Sequence, residues 1–115
     1  MGSNLMPISV KSRRIVAAGL NVSVREIILS PGDSIPFHYH SDVFDVFYCL
    51  QGQLSIDQTD AFSKILLSTL ELTAGNSIKI EPGIAHRPYN KLNTETRFLL
   101  IQGGGIYDYI LYKNL

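Results

Sequence analysis

Apolar and polar positions alternate along this chain in short runs. No window of 11 or more residues sustains an apolar period of 3.6. The runs are rich in β-branched and aromatic residues and are separated by Gly, Pro, Asn and Asp. They predict strands at 14–18, 22–29, 35–40, 44–50, 53–58, 65–72, 77–80, 86–89, 97–101 and 106–112. Breaks fall at Ser30-Pro31-Gly32, Gln51-Gly52, Ala74-Gly75-Asn76, Pro82-Gly83 and Gly103-Gly104-Gly105. Each break supplies a fixed φ or a position where positive φ is cheap. Roughly ten short strands at this spacing predict an all-β sandwich or barrel. No Pro/Gly/Ser-rich linker, low-complexity tract or internal repeat divides the chain, so residues 1–115 read as one domain, with 1–12 as a lead before the first strand.

Composition narrows the class. With 115 residues, 45% of them hydrophobic and 17% charged, the chain has enough apolar surface for one core. Ten basic residues balance ten acidic ones, which lacks the electrostatic footprint of a general nucleic-acid binder. One cysteine cannot form an internal disulfide. No apolar run approaches the roughly 20 residues that span a bilayer, and no secretory leader is recognisable at the N-terminus. The expectation is a cytoplasmic protein without nucleic-acid or membrane partners.

The balanced charge is unevenly spread. Up to Arg25 every ionised side chain is basic; from Glu26 to Asp60 every one is acidic. One reading of the acidic stretch is a set of solvated turns, the other a region that favours a bound cation. Two of the three histidines, His38 and His40, fall inside it.

A strand carrying His38 and His40 puts both imidazoles on one face, with Cα atoms about 6.6 Å apart at roughly 3.3 Å per residue. Asp45 opens the next strand, and a strand running back brings its carboxylate beside the pair. His86 follows a Pro-Gly turn and closes the set. Imidazole and carboxylate donors together suit Fe, Mn, Ni, Zn or Cu. Taken singly, each residue has a plainer reading. A His-x-His in a strand is more often incidental, Asp45 opens a strand, and His86 is a hydrogen-bonded core histidine.

The joint spacing resembles the cupin superfamily. Its first motif runs Gly, five residues, His-x-His, three or four residues, Glu, six residues, Gly. Here residues 32–52 read Gly32, His38-Tyr39-His40, Asp45 and Gly52. The second motif runs Gly, five residues, Pro-x-Gly, two residues, His, three residues, Asn. Here residues 75–90 read Gly75, Pro82-Gly83, His86 and Asn90, with Glu81 in the usual proline place and Pro82 one later. The resemblance implies a double-stranded β-helix, or jelly-roll barrel, holding a divalent transition metal on His38, His40, Asp45 and His86. Asp45 departs from the usual glutamate and is one methylene shorter. Direct ligation is expected; holding a metal-bound water or orienting a histidine is the alternative.

Such an ion, with open positions, implies an enzyme acting on a small organic molecule, of dioxygenase or of isomerase, lyase or cyclase type. A metal-dependent sensor or binding domain and a metal-free structural barrel are the other readings. Strand parity places Phe47 and Cys49 on the Asp45 side of the pocket and Ile84, Pro88 and Asn90 on the His86 face. The ligand is then small and weakly charged or partly aromatic, with Arg25, Lys79, Arg87 and Arg97 open as rim residues. Cys49 also reads as a plain core residue. Tyr107, Tyr109 and Tyr112 read as core or dimer surface. The apolar terminal strands imply a homodimer.

Overall fold

The computed structural model describes residues 10–113, the side chains of 66 and 67 excepted. Ten strands make up the regular structure: β1 Ser12–Ala18, β2 Val22–Leu29, β3 His38–Tyr39, β4 Phe44–Gln51, β5 Gln53–Asp60, β6 Leu66–Thr73, β7 Ser77–Ile80, β8 Ile84–Tyr89, β9 Thr96–Gly103 and β10 Ile110–Leu111. No helix occurs among the described residues, so none is long and apolar enough to cross a membrane. Two five-stranded sheets face each other, in orders β1-β2-β9-β4-β7 and β10-β3-β8-β5-β6, and every pairing is antiparallel. The reading of 1–12 as a lead lies mostly outside the described residues; Ser12 already opens β1.

The alternation read in β4 is the alternation observed. Asp45, Phe47 and Cys49 are buried, while Tyr48 and Leu50 on the other face are exposed. Register then aligns whole inner-face rows. Cys49 pairs with Phe98 and Phe98 with Ile27; Phe47 pairs with Leu100 and Leu100 with Arg25; Asp45 pairs with Gln102 and Gln102 with Ser23. Along the barrel the interior therefore changes from apolar to polar. Ile27, Leu29, Ile35, Leu54, Ile56 and Phe98 fill the apolar half, each fully buried or nearly so. Burial of this kind is worth roughly 1.5–3 kcal/mol per large side chain. It forms the base on which the polar end is held.

Two strand expectations shrink. Of 35–40 only His38–Tyr39 pairs as a strand, because Pro36 offers no backbone N–H. Of 106–112 only Ile110–Leu111 does. The preceding segment instead packs against the turn after β3, where the Asp108 carboxylate accepts hydrogen bonds from the Ser41 backbone and hydroxyl.

Candidate metal centre

β3 with the residue that follows it, β4 and β8 bring the four expected residues together. His38 pairs directly with His86 across β3 and β8. Asp45 comes from β4 in the facing sheet. All four are buried, and one ligand atom from each lies within 4.8 Å of every other.

Backbone carbonyls set the histidine tautomers. Nδ1 of His38 donates to the carbonyl of Pro36 (2.7 Å), Nδ1 of His86 to that of Ile84 (2.9 Å), and Nδ1 of His40 to that of Asp108. A carbonyl only accepts, so each Nδ1 carries the proton and each neutral ring presents an Nε2 lone pair. The Asp45 Oδ2 lies 2.8 Å from His86 Nε2 and 3.2 Å from His40 Nε2. Lone pairs and a carboxylate facing one another at such distances require a cation between them, a proton or a metal ion. Donors about 2.1 Å from one transition metal lie about 3 Å apart when adjacent, so the spacing fits a single ion.

The electrostatics agree with that demand. Burial, then the neighbouring His86, pushes His38 down to about 3, so it stays neutral. Burial opposes the charged form of Asp45. Hydrogen bonds with His40 and His86 outweigh it and hold the carboxyl below the usual range. Burial likewise opposes a charged His40, but the Asp45 hydrogen bond prevails and raises it.

The surroundings contain groups that sequence reasoning did not place. Gln102 donates to Asp45 Oδ1 (2.9 Å), and its Oε1 accepts from Arg25 Nη1 (3.1 Å). A polar residue continuing the inner face Thr96, Phe98, Leu100 was the available signal. Tyr109 stacks on His38 with centroids 4.3 Å apart, and the Tyr107 ring lies 5.3 Å from that of His40. These two tyrosines, read as core or dimer surface, wall the histidines instead; their i, i+2 spacing repeats that of His38 and His40. Burial, then Tyr107, pushes the Tyr109 phenol up to about 12, so it remains neutral.

The other expected pocket residues are dispersed. Phe47 packs its ring against His86, 5.7 Å between centroids. Cys49 lies in the apolar core, its thiol raised by burial. Ile84 supplies the carbonyl that orients His86 and packs against the core. Pro88 is buried, and its carbonyl accepts from Ile35 N at 2.9 Å. Asn90 spends its amide on the carbonyls of Leu29 and Thr94 and accepts from Leu92 N. The acidic stretch scatters as well. Glu26 and Asp57 pair with arginines, Asp33 and Asp60 cap turns, and Asp42 accepts from Ile106 N. Of its carboxylates, Asp45 alone belongs to the cluster.

Two facing antiparallel sheets with a buried cluster of three histidines and one aspartate define a double-stranded β-helix protein with a site compatible with a metal ion. The sequence matches the cupin domain family over residues 25–102, and the chain belongs to that family. It is similar to a germin-like protein from Morus alba, 26% identical over 101 residues, and spans 84% of this chain but about half (47%) of that protein. In structure it resembles a double-stranded β-helix protein from Klebsiella pneumoniae, with a TM-score of 0.74, 20% identity, and 90% and 84% of the two chains covered. It also resembles a recombinant oxalate oxidase in complex with glycolate, with a TM-score of 0.73, 20% identity, and 90% and 54% covered.

Proposed function

We propose that this protein is a metal-dependent enzyme acting on a small organic molecule. His38, His40, Asp45 and His86 hold one divalent transition metal, Fe, Mn, Ni, Zn or Cu. The observation that carries the reading is the convergence of three oriented Nε2 lone pairs on a buried carboxylate. When bound, such an ion polarises a substrate oxygen, activates water or supplies redox chemistry. The chain does the rest. Carbonyls of Pro36, Ile84 and Asp108 fix the imidazoles, Gln102 fixes Asp45, and Tyr107 and Tyr109 cover the histidines. Oxalate oxidases share this barrel, which makes oxygen-dependent chemistry one arm of the proposal and isomerase, lyase or cyclase chemistry the other. A cytoplasmic setting without nucleic-acid partners rests on the sequence alone.

Elemental analysis of protein purified without a histidine tag tests the site, with about one transition metal per chain expected. No metal, and none taken up on titration, overturns the proposal. Oxygen consumption with an iron- or manganese-loaded protein, against turnover without it, separates the two arms. Specific ligand binding with no turnover would favour a sensor.

Metal uptake should release protons. His40 is raised by the Asp45 hydrogen bond, so it holds its proton to higher pH than an ordinary imidazole, and the ion must displace that proton. His38 is already neutral down to about 3 and adds nothing in that range. Affinity should weaken as pH falls from 7 to 5.5, because the ion must displace the His40 proton. Calorimetric titration in buffers of different ionisation enthalpy counts the protons. A count of three would contradict this assignment.

The proposal includes a homodimer formed by β1 against β1 of a second copy. β1 is an edge strand with unpaired backbone groups. Ile15 is 59% exposed, and Leu20, just beyond the strand, is 98% exposed. Light scattering at micromolar concentration should give a dimer, and Ile15→Lys a monomer with its metal retained. A wild-type monomer would refute the pairing.

A further inference from the structure

We infer that the substrate or ligand of this site carries a carboxylate, which Arg25 binds while a second oxygen of the same small molecule faces the metal cluster. This deepens the metal reading and rests on it.

Arg25 stands apart from the other cations considered for a rim. Lys79 pairs with Glu81, Arg87 with Asp57 and Arg97 with Glu26. Arg25 is part-buried and bonds only neutral partners among the described residues, Ser23 Oγ at 3.2 Å and Gln102 Oε1 at 3.1 Å. Both bonds use Nη1. The Nε–Nη2 edge has no partner among the described residues, and that planar edge matches a carboxylate with two parallel hydrogen bonds.

The cavity there has the right size and place. About 380 Å³ is lined by Val22, Ser23, Arg25, Val43, Gln102 and Tyr107, among others. This is the lower range of small-molecule pockets. Gln102 and Tyr107 form the wall between the cavity and the cluster, since both line the cavity, Gln102 touches Asp45 and the Tyr107 ring lies beside His40. Two hydrogen bonds and one amide group separate Arg25 Nη1 from Asp45 Oδ1, which sets an upper limit of about 8 Å between those two atoms, and the free edge belongs to the same guanidinium. A molecule of a few carbons spans that distance with a carboxylate at one end and a hydroxyl, carbonyl or second carboxylate at the other.

Charge balance points the same way. A divalent ion against the one Asp45 carboxylate leaves the cluster net positive, and Arg25 adds to it. A neutral or cationic ligand would leave this unbalanced in a part-buried cavity. A single free guanidinium edge, with no helix N-terminus beside it, suits a carboxylate better than a phosphate.

The test uses the full chain loaded with Mn²⁺, and metal content is measured first. Glycolate, malonate, succinate and glutarate are titrated, with malonamide and inorganic phosphate as controls, by water-proton relaxation of the bound ion. At least one acid should bind in wild type, at least tenfold more weakly in Arg25→Gln and with intermediate affinity in Arg25→Lys, all at equal metal content. Malonamide should not bind. The inference is overturned if no acid binds the loaded protein, if Arg25→Gln binds it equally well, or if malonamide or phosphate binds as tightly. If wild type takes up no metal, the metal reading fails at that first measurement. The acids are then titrated into the metal-free protein by tyrosine fluorescence. Arg25-dependent binding there supports the carboxylate assignment, and its absence overturns it.

Discussion

Asp45→Asn should weaken metal binding by more than about 100-fold and destabilise the metal-free protein by about 3 kcal/mol at pH 7. The first figure exceeds the 10–100-fold cost of losing a group that only supports a ligand. The second is the lower end of what breaking a buried charge pair costs. Asp45 Oδ2 lies against both His40 and His86, and Oδ1 accepts from Gln102. An amide at this position supplies one neutral oxygen at best and turns an NH₂ towards either Gln102 or the histidines. The pH dependence adds a signature. The Asp45 carboxyl is held below its ordinary value, so its contribution is present above about pH 4 and is lost as pH falls further. Metal-free wild type should therefore lose stability on acidification through that range more steeply than Asp45→Asn. Denaturant titrations at pH 3.5, 5 and 7 measure this, and equilibrium dialysis measures the metal. Asp45→Glu, which restores the carboxylate on the longer arm usual in cupins, should keep its metal. An Asp45→Asn protein with full metal content and unchanged affinity would mean that Asp45 only orients its neighbours.

The strands that carry the site were legible where alternation coincides with burial on one face. β4 is the clearest case, since Asp45, Phe47 and Cys49 share the buried side. The four metal-type residues were legible because their spacing is tied to turns that only certain residues can make. The segments at 35–40 and 106–112 were not. Their apolar content looks strand-like, yet Pro36 removes a donor, and the Asp108 carboxylate holds the second segment against the turn after β3 by bonds to Ser41. Arg25 and Gln102 illustrate a different limit. Each is an ordinary polar residue in its own strand, and only the register between β2, β9 and β4 sets Gln102 opposite Asp45 and Arg25 in the adjacent row. Pairing between distant strands is not encoded in any local window. The uneven charge follows the first of its two readings, scattered turns and surface pairs, for the same reason. Glu26 and Asp57 find arginines from elsewhere in the chain, so a run of one sign along the sequence does not become a patch in space.

Gly52→Ala should destabilise the protein by about 3 kcal/mol or more, although residue 52 touches no metal-type side chain. Gly52 has φ +78° in the tight connection between β4 and β5. A side chain in that region costs about 1–2 kcal/mol from backbone crowding alone. A Cβ there would also lie 2.7 Å from the Glu95 carbonyl oxygen and 2.9 Å from Thr96 Oγ1. Neither neighbour can give way cheaply. One is backbone. The other is a fully buried hydroxyl that donates to the Gln53 carbonyl at 2.9 Å and accepts from Gln53 N at 3.4 Å. Moving Thr96 would break the bonds that join β5 of one sheet to β9 of the other, so the strain cannot stay in the turn. A loss of this size should lower the melting temperature of a domain this long by about 10 °C or more. Scanning calorimetry of the metal-free protein measures it without interference from ligand binding. Thr96→Ser, which keeps the hydroxyl, should cost far less than Gly52→Ala. If Gly52→Ala melts within 2 °C of wild type, the turn relaxes freely, and the close approach of β9 to this turn does not hold the two sheets together.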